Sequence, residues 1–118
     1  MERELQERLD FIEFRQELLF SNDSFSRLLF EHEVTREQHR NLMDLFQSLR
    51  ERIDNGEKVS GPHYESRISE VVPQHRHNYH LAESIAKTLH EAGRFQEVFE
   101  SAYGNSPKFQ NYLQEHNQ

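Results

Sequence analysis

The sequence predicts an all-α fold, a compact bundle or array of about five to seven helices led by a long N-terminal helix. Three observations carry this. Apolar residues recur at three- and four-residue steps along nearly the whole chain. Helix-starting residues such as Asp23, Thr35 and Asn78 precede these runs, and Gly56, Gly93 and Gly104 follow them. No stretch of useful length alternates apolar and polar residues as a half-buried strand does.

The first helix is expected over roughly residues 3–20. Leu5, Leu9, Ile12, Gln16 and Leu19 fall at alternating four- and three-residue steps, the rhythm of a coiled-coil seam. Phe11, Phe14 and Leu18 widen its apolar surface beyond a two-stranded seam. Such a helix is either central to the bundle or shared with another subunit. The chain then breaks at Ser21-Asn22-Asp23, all good N-caps, before a short helix with Phe25, Leu28 and Leu29 on one side, ending near Glu33-Val34. Thr35 with Gln38 three residues on forms a capping box. The helix it opens carries Leu42, Leu45, Phe46, Leu49 and Ile53 and closes at Asn55-Gly56.

Residues 55–62, NGEKVSGP, read as a loop and the most mobile segment. Ser60 or Gly61 with Pro62 starts a shorter helix with Tyr64, Ile68 and Val71 inward, which Pro73 ends. A further helix bears Leu81, Ile85 and Leu89, with Ala82 and Ala86 small enough to admit a close neighbour, and Gly93 stops it. Phe95, Val98, Phe99 and Ala102 mark the next, which Gly104 closes. Residues 1–118 form a single helical domain, in which 103–118 are a peripheral C-terminal turn with Phe109, Tyr112 and Leu113 and a frayed tail from Gln114.

At 118 residues the chain is long enough to bury a core without staples. It has no cysteine, which excludes disulfides and Cys-ligated zinc. The formal net charge of −7 disfavours a phosphate-tracking surface, so no nucleic acid is expected as a partner, nor an anionic membrane. The chain starts Met-Glu-Arg-Glu, with no signal peptide, and holds no apolar run near ~18 residues, so a cytoplasmic location is expected. Nine Phe are expected to supply much of the core volume.

Two resemblances follow. In AKTLHEAGRFQEVFESAY, Ala86, Leu89, Gly93, Phe95 and Glu97 resemble the junction between the two helices of a tetratricopeptide unit. Such units must repeat to bury their faces, and no second copy is in register, so this reads as one αα-hairpin. Over residues 7–103, the runs ERLDFIEFRQELL and FSRLLFEHEVTREQ, the loop Gly56-Glu57-Lys58-Val59 and the run LHEAGRFQEVFE resemble, in the same order, the YhaI-like family of small uncharacterised bacterial proteins. That resemblance implies a compact all-helical fold and self-association, and carries no catalytic residue across.

The one local concentration of possible chemistry is QHRHNYHLAE, residues 74–83, with His75, His77 and His80 as candidate metal ligands. At ~100° per residue, a helix through this stretch would put His77 and His80 about 60° apart and His75 about 160° from His77. A third ligand would have to come from His32, His39, His63 or a carboxylate. If Asn78 instead caps the helix, the first two histidines lie in an irregular polar lead-in. No glycine-rich phosphate loop and no G-x-S-x-G is present, and the carboxylates read as solvated helix faces. No cofactor is expected.

The leading functional expectation is a non-enzymatic interaction module that associates with itself, with Leu5, Leu9, Phe11, Ile12 and Leu19 at the interface. The alternatives are a metal-binding bundle that uses His77 and His80, and an acidic regulator that occupies a nucleic-acid-binding protein.

Overall fold

The computed structural model describes residues 1–116. It contains seven α-helices: α1 (Glu2–Ser21), α2 (Ser24–Glu31), α3 (Arg36–Asp54), α4 (Gly61–Val71), α5 (Tyr79–Glu91), α6 (Gln96–Tyr103) and α7 (Gln110–His116). Single 3-10 turns at Pro73–His75 and Pro107–Phe109 lead into α5 and α7, and no strand occurs among the described residues.

Local chemistry sets the boundaries. Asp23 starts α2 by accepting the Ser26 N–H at 2.8 Å, and that bond holds its carboxyl below the usual carboxylate range. The capping box of α3 is complete. Thr35 Oγ1 accepts from the Gln38 N–H, and Gln38 Oε1 accepts from the Thr35 N–H, both at 3.1 Å. Ser60 caps α4 and Asn78 caps α5. Gly56 and Gly93 take the left-handed conformation at φ 91° and 74°. After each, the next N–H reaches back five residues, Glu57 to Arg52 and Arg94 to Leu89, closing a Schellman motif.

Helices α3, α4, α5 and α6 enclose the core around Phe46, Tyr64, Ile85, Leu89, Val98 and Phe99, all at most 0 % exposed. The small residues on α5 do admit a neighbour, since the Tyr64 hydroxyl from α4 donates to Ala82 O at 2.7 Å. Aromatic rings continue this core edge to face from Phe46 to Tyr64, Tyr103 and on to Phe109. Helix α2 packs on α5, and α1 lies along α2 and the start of α3. The molecule measures 50 × 25 × 25 Å.

Three sequence expectations need correction or refinement. The 55–62 loop is latched rather than loose. Val59 is fully buried, and the Ser101 hydroxyl both accepts its N–H at 2.9 Å and donates to its carbonyl at 3.0 Å. Val71 packs half-buried against the core as expected, but Val72 beyond it is the fully buried valine, because the backbone turns out of the helix there at ψ 71° ahead of Pro73. Residues 114–116 finish α7 instead of fraying, since Phe109 and Leu113 are buried and hold that helix on the bundle. The rest of the expected frayed tail, 117 and 118, lies outside the described residues.

Candidate functional site: two apolar stripes on the first helix

Helix α1 carries two apolar stripes with different fates. Projected at ~100° per residue, Leu5, Leu9, Ile12, Gln16 and Leu19 fall within about 80°, while Phe11, Phe14 and Leu18 centre about 140° away. The second stripe faces the protein's own body. Phe14 and Leu18 are buried, and Phe14 stacks on His39 of α3 with ring centroids 5.8 Å apart. His39 also meets Phe25 at 5.8 Å, and its burial, aided by the charges of Arg94 and Arg36, holds its imidazole below the ordinary histidine range.

Polar contacts fasten the same side. Arg36 at the start of α3 binds Asp10 at 3.0 Å and Glu17 at 2.7 Å, which lie about two turns apart, one on either side of Phe14. Arg15 Nη1 donates to Phe30 O at 2.9 Å, with its guanidinium 3.8 Å from the Phe30 ring centroid. These contacts begin at Asp10. Residues 1–10 are all exposed.

The first stripe faces outward. Leu5, Leu9, Ile12 and Leu19 are 58, 52, 52 and 55 % exposed, and Phe20 beside them is 93 % exposed. Of the five residues expected at an interface, four therefore share this outer stripe. Phe11 does not. It is half-buried on the inner side, where the Arg15 guanidinium lies 5.3 Å from its ring. Phenylalanine is also a poor guide to the interface. Phe14, Phe25, Phe46, Phe99 and Phe109 are buried, so most of the phenylalanine volume lies inside, while Phe20 stays exposed beside the aliphatic stripe.

The histidines do not converge. Asn78 caps α5 by accepting the Leu81 N–H at 3.1 Å, so His75 and His77 lie in the lead-in and not on one helix with His80. His75 Nε2 is spent on His32 O at 2.6 Å, tying this link to the end of α2. His77 takes a left-handed φ of 70° and lines an open groove of about 750 Å³ with Glu65, Glu70, Arg76 and Tyr79. His80 is exposed on the first turn of α5. Among the described residues, no group of three or more His, Asp or Glu side chains is placed to hold a metal ion. In the groove, Glu65 is engaged by the Tyr103 hydroxyl at 2.8 Å.

One histidine the sequence reading passed over, His90, is 2 % exposed. It follows Ala82 and Ala86 at four-residue steps, the one signal that could have placed it on the buried side of α5. Its Nδ1 shares a 2.7 Å hydrogen bond with the Tyr112 hydroxyl, fastening α7 to α5. Among the described residues its Nε2 has no hydrogen-bond partner, and it lies 3.5 Å from Glu100 Oε1. Burial raises the Tyr112 hydroxyl to about 12, keeping it a neutral hydrogen-bonding group. The ring is walled by Phe99, Tyr112 and His116, which makes this cluster a fastening within the bundle.

No family model, curated protein or solved structure matches the chain. Among the described residues, no helix is long and apolar enough to cross a membrane.

Proposed function

We propose that this protein is a non-enzymatic, cytoplasmic helical interaction module that associates with copies of itself through the outer stripe of α1. The carrying observation is the pair of stripes. A helix that has already satisfied its own bundle with Phe14 and Leu18 still displays Leu5, Leu9, Ile12 and Leu19, each about half-exposed, in heptad order. Scattered apolar side chains on a surface are ordinary, and four aligned on one helix edge support the reading of an interaction face.

The exposed first two turns support the same reading. Isolated helices shorter than about 12–15 residues are marginal in water, and residues 1–10 have little of their own bundle to lean on. A neighbour along the outer stripe supplies the missing packing. The resemblance of residues 7–103 to the YhaI-like family agrees with a compact, self-associating helical protein. The polar groups gathered elsewhere are engaged in fastening, as His75, His90 and Glu65 are.

Light scattering at micromolar concentration tests the proposal. A mass at least twice the 14.2 kDa of one chain is expected. Leu9→Glu should return it to that of one chain, with helical circular dichroism preserved. A monomer at every concentration, or an assembly indifferent to Leu9→Glu, would sink it.

A further inference from the structure

We infer that the outer stripe of α1 takes the same stripe of a second copy, as a two-stranded coiled coil with the helices parallel and in register. The inference rests on the self-association reading above and adds the occupant's orientation and number.

The heptad positions follow from the spacing. Leu5, Ile12 and Leu19 take d, Leu9 and Gln16 take a, Arg8 and Arg15 take g, and Glu13 takes e. In a parallel pair each g residue faces the e residue five positions on in the other helix. Arg8 of each copy then meets Glu13 of the other, giving two symmetric ion pairs. Among the described residues, neither Arg8 nor Glu13 has an ion pair within its own chain. In an antiparallel pair g faces g and e faces e, so neither Arg8 nor Glu13 gains an opposite charge across the seam. Charge therefore separates the two orientations.

Gln16 separates them again. Parallel and in register, Gln16 meets its own copy, and two side-chain amides can bond each other at the seam. Antiparallel, with Leu9 against Ile12, Gln16 falls against Leu5 and its amide faces an aliphatic chain. A single polar residue at a is a known means of fixing register.

The number of strands follows from the width of the stripe and from what flanks it. The a and d side chains span about 80°, the narrow seam of two helices, with the exposed Phe20 flanking it at an e position rather than extending the seam itself. On one flank Arg15 is already held against Phe30, and on the far side Asp10 and Glu17 are held by Arg36. The bodies of the two copies then lie on opposite outer sides of the pair, since the docked stripe sits about 140° from the seam.

The natural chain has no cysteine, so single cysteines report orientation cleanly. Leu5→Cys should oxidise to a disulfide-linked dimer, because residue 5 meets residue 5 in the parallel pair. In the antiparallel pair the two would stand about 16 Å apart, eleven residues at 1.5 Å each. An equimolar mixture of Leu5→Cys with Gln16→Cys should give disulfide homodimers of each variant and no mixed disulfide. Glu13→Arg should raise the dimer dissociation constant about tenfold, as two attractive surface pairs become repulsive, and Arg8→Glu in the same chain should restore it. A dimer mass with mixed disulfides only overturns the orientation and leaves self-association standing. A trimer or tetramer mass overturns the two-stranded pairing. A monomer mass, or a dimer that neither cysteine traps, overturns both the inference and the reading beneath it.

Discussion

Two truncations on one helix, Leu9→Ala and Phe14→Ala, should have opposite consequences. Leu9 is 52 % exposed, so about half of its burial is still unmade in the single chain. Full burial of a leucine side chain stabilises by about 1.5–3 kcal/mol, so truncation forfeits about 1 kcal/mol per copy, or about 2 kcal/mol per dimer. At 1.4 kcal/mol per tenfold, the dissociation constant should rise about 30-fold. Phe14 is only 4 % exposed, packed on His39 and flanked by the Arg36 ion pairs. Its truncation should cost about 3–5 kcal/mol of folding stability, a large share of the roughly 5–15 kcal/mol a domain possesses. Sedimentation equilibrium gives the first quantity. Calorimetry at a concentration well below the dissociation constant gives the second, because association itself raises the melting temperature. If Leu9→Ala shifted dilute-solution melting as far as Phe14→Ala does, or left association within twofold of the parent, the separation of the stripes would be refuted.

The remaining predictions concern pH. Folding holds the His39 imidazole below its unfolded value of about 6.5, so the neutral form is favoured in the bundle. The stability tied to it is present above about pH 6.5 and is lost as pH falls through the lower folded value. Urea midpoints should drop across that window, and His39→Gln should flatten the drop; an unchanged slope in the variant would count against the assignment. At the alkaline end, burial raises the hydroxyls of Tyr64, Tyr103 and Tyr112, the last to about 12, while the unfolded chain ionises near 10. Stability should therefore be full below about pH 10 and fall above it, with Tyr103→Phe reducing the slope. A urea midpoint that stays constant between pH 9 and 11.5 would contradict this.

What could be read from the sequence followed the range of the interactions involved. The Thr35–Gln38 box, the Asn78 cap and the glycines at 56 and 93 bond within five residues, so residue type and spacing suffice to place them. Ser101 latches a loop 42 residues away, and nothing local to Val59 announces it. His90 is paired to Tyr112 across 22 residues, and a histidine on an apolar stripe gives no hint of which hydroxyl awaits it. The breadth of α1's apolar surface was legible. Which of its two stripes docks on the bundle was not, because periodicity fixes the angles between side chains and leaves open which angle faces the body. Phe11 shows this most directly. It is expected at the interface with Leu9 and Ile12, yet it lies half-buried on the side of Phe14 and Leu18, with the Arg15 guanidinium near its ring.

The anchoring of α1 from Asp10 onward limits how its length can change. A residue inserted between Leu9 and Asp10 would leave the docked half undisturbed and swing Leu5 and Leu9 about 100° around the rod. Three or four inserted residues would bring them nearly home, and seven would return them in phase with an extra layer. On the proposed pairing, lineages of this chain should therefore vary the front of the rod in multiples near three, four or seven, while single insertions there leave a well-folded protein that no longer associates through the outer stripe.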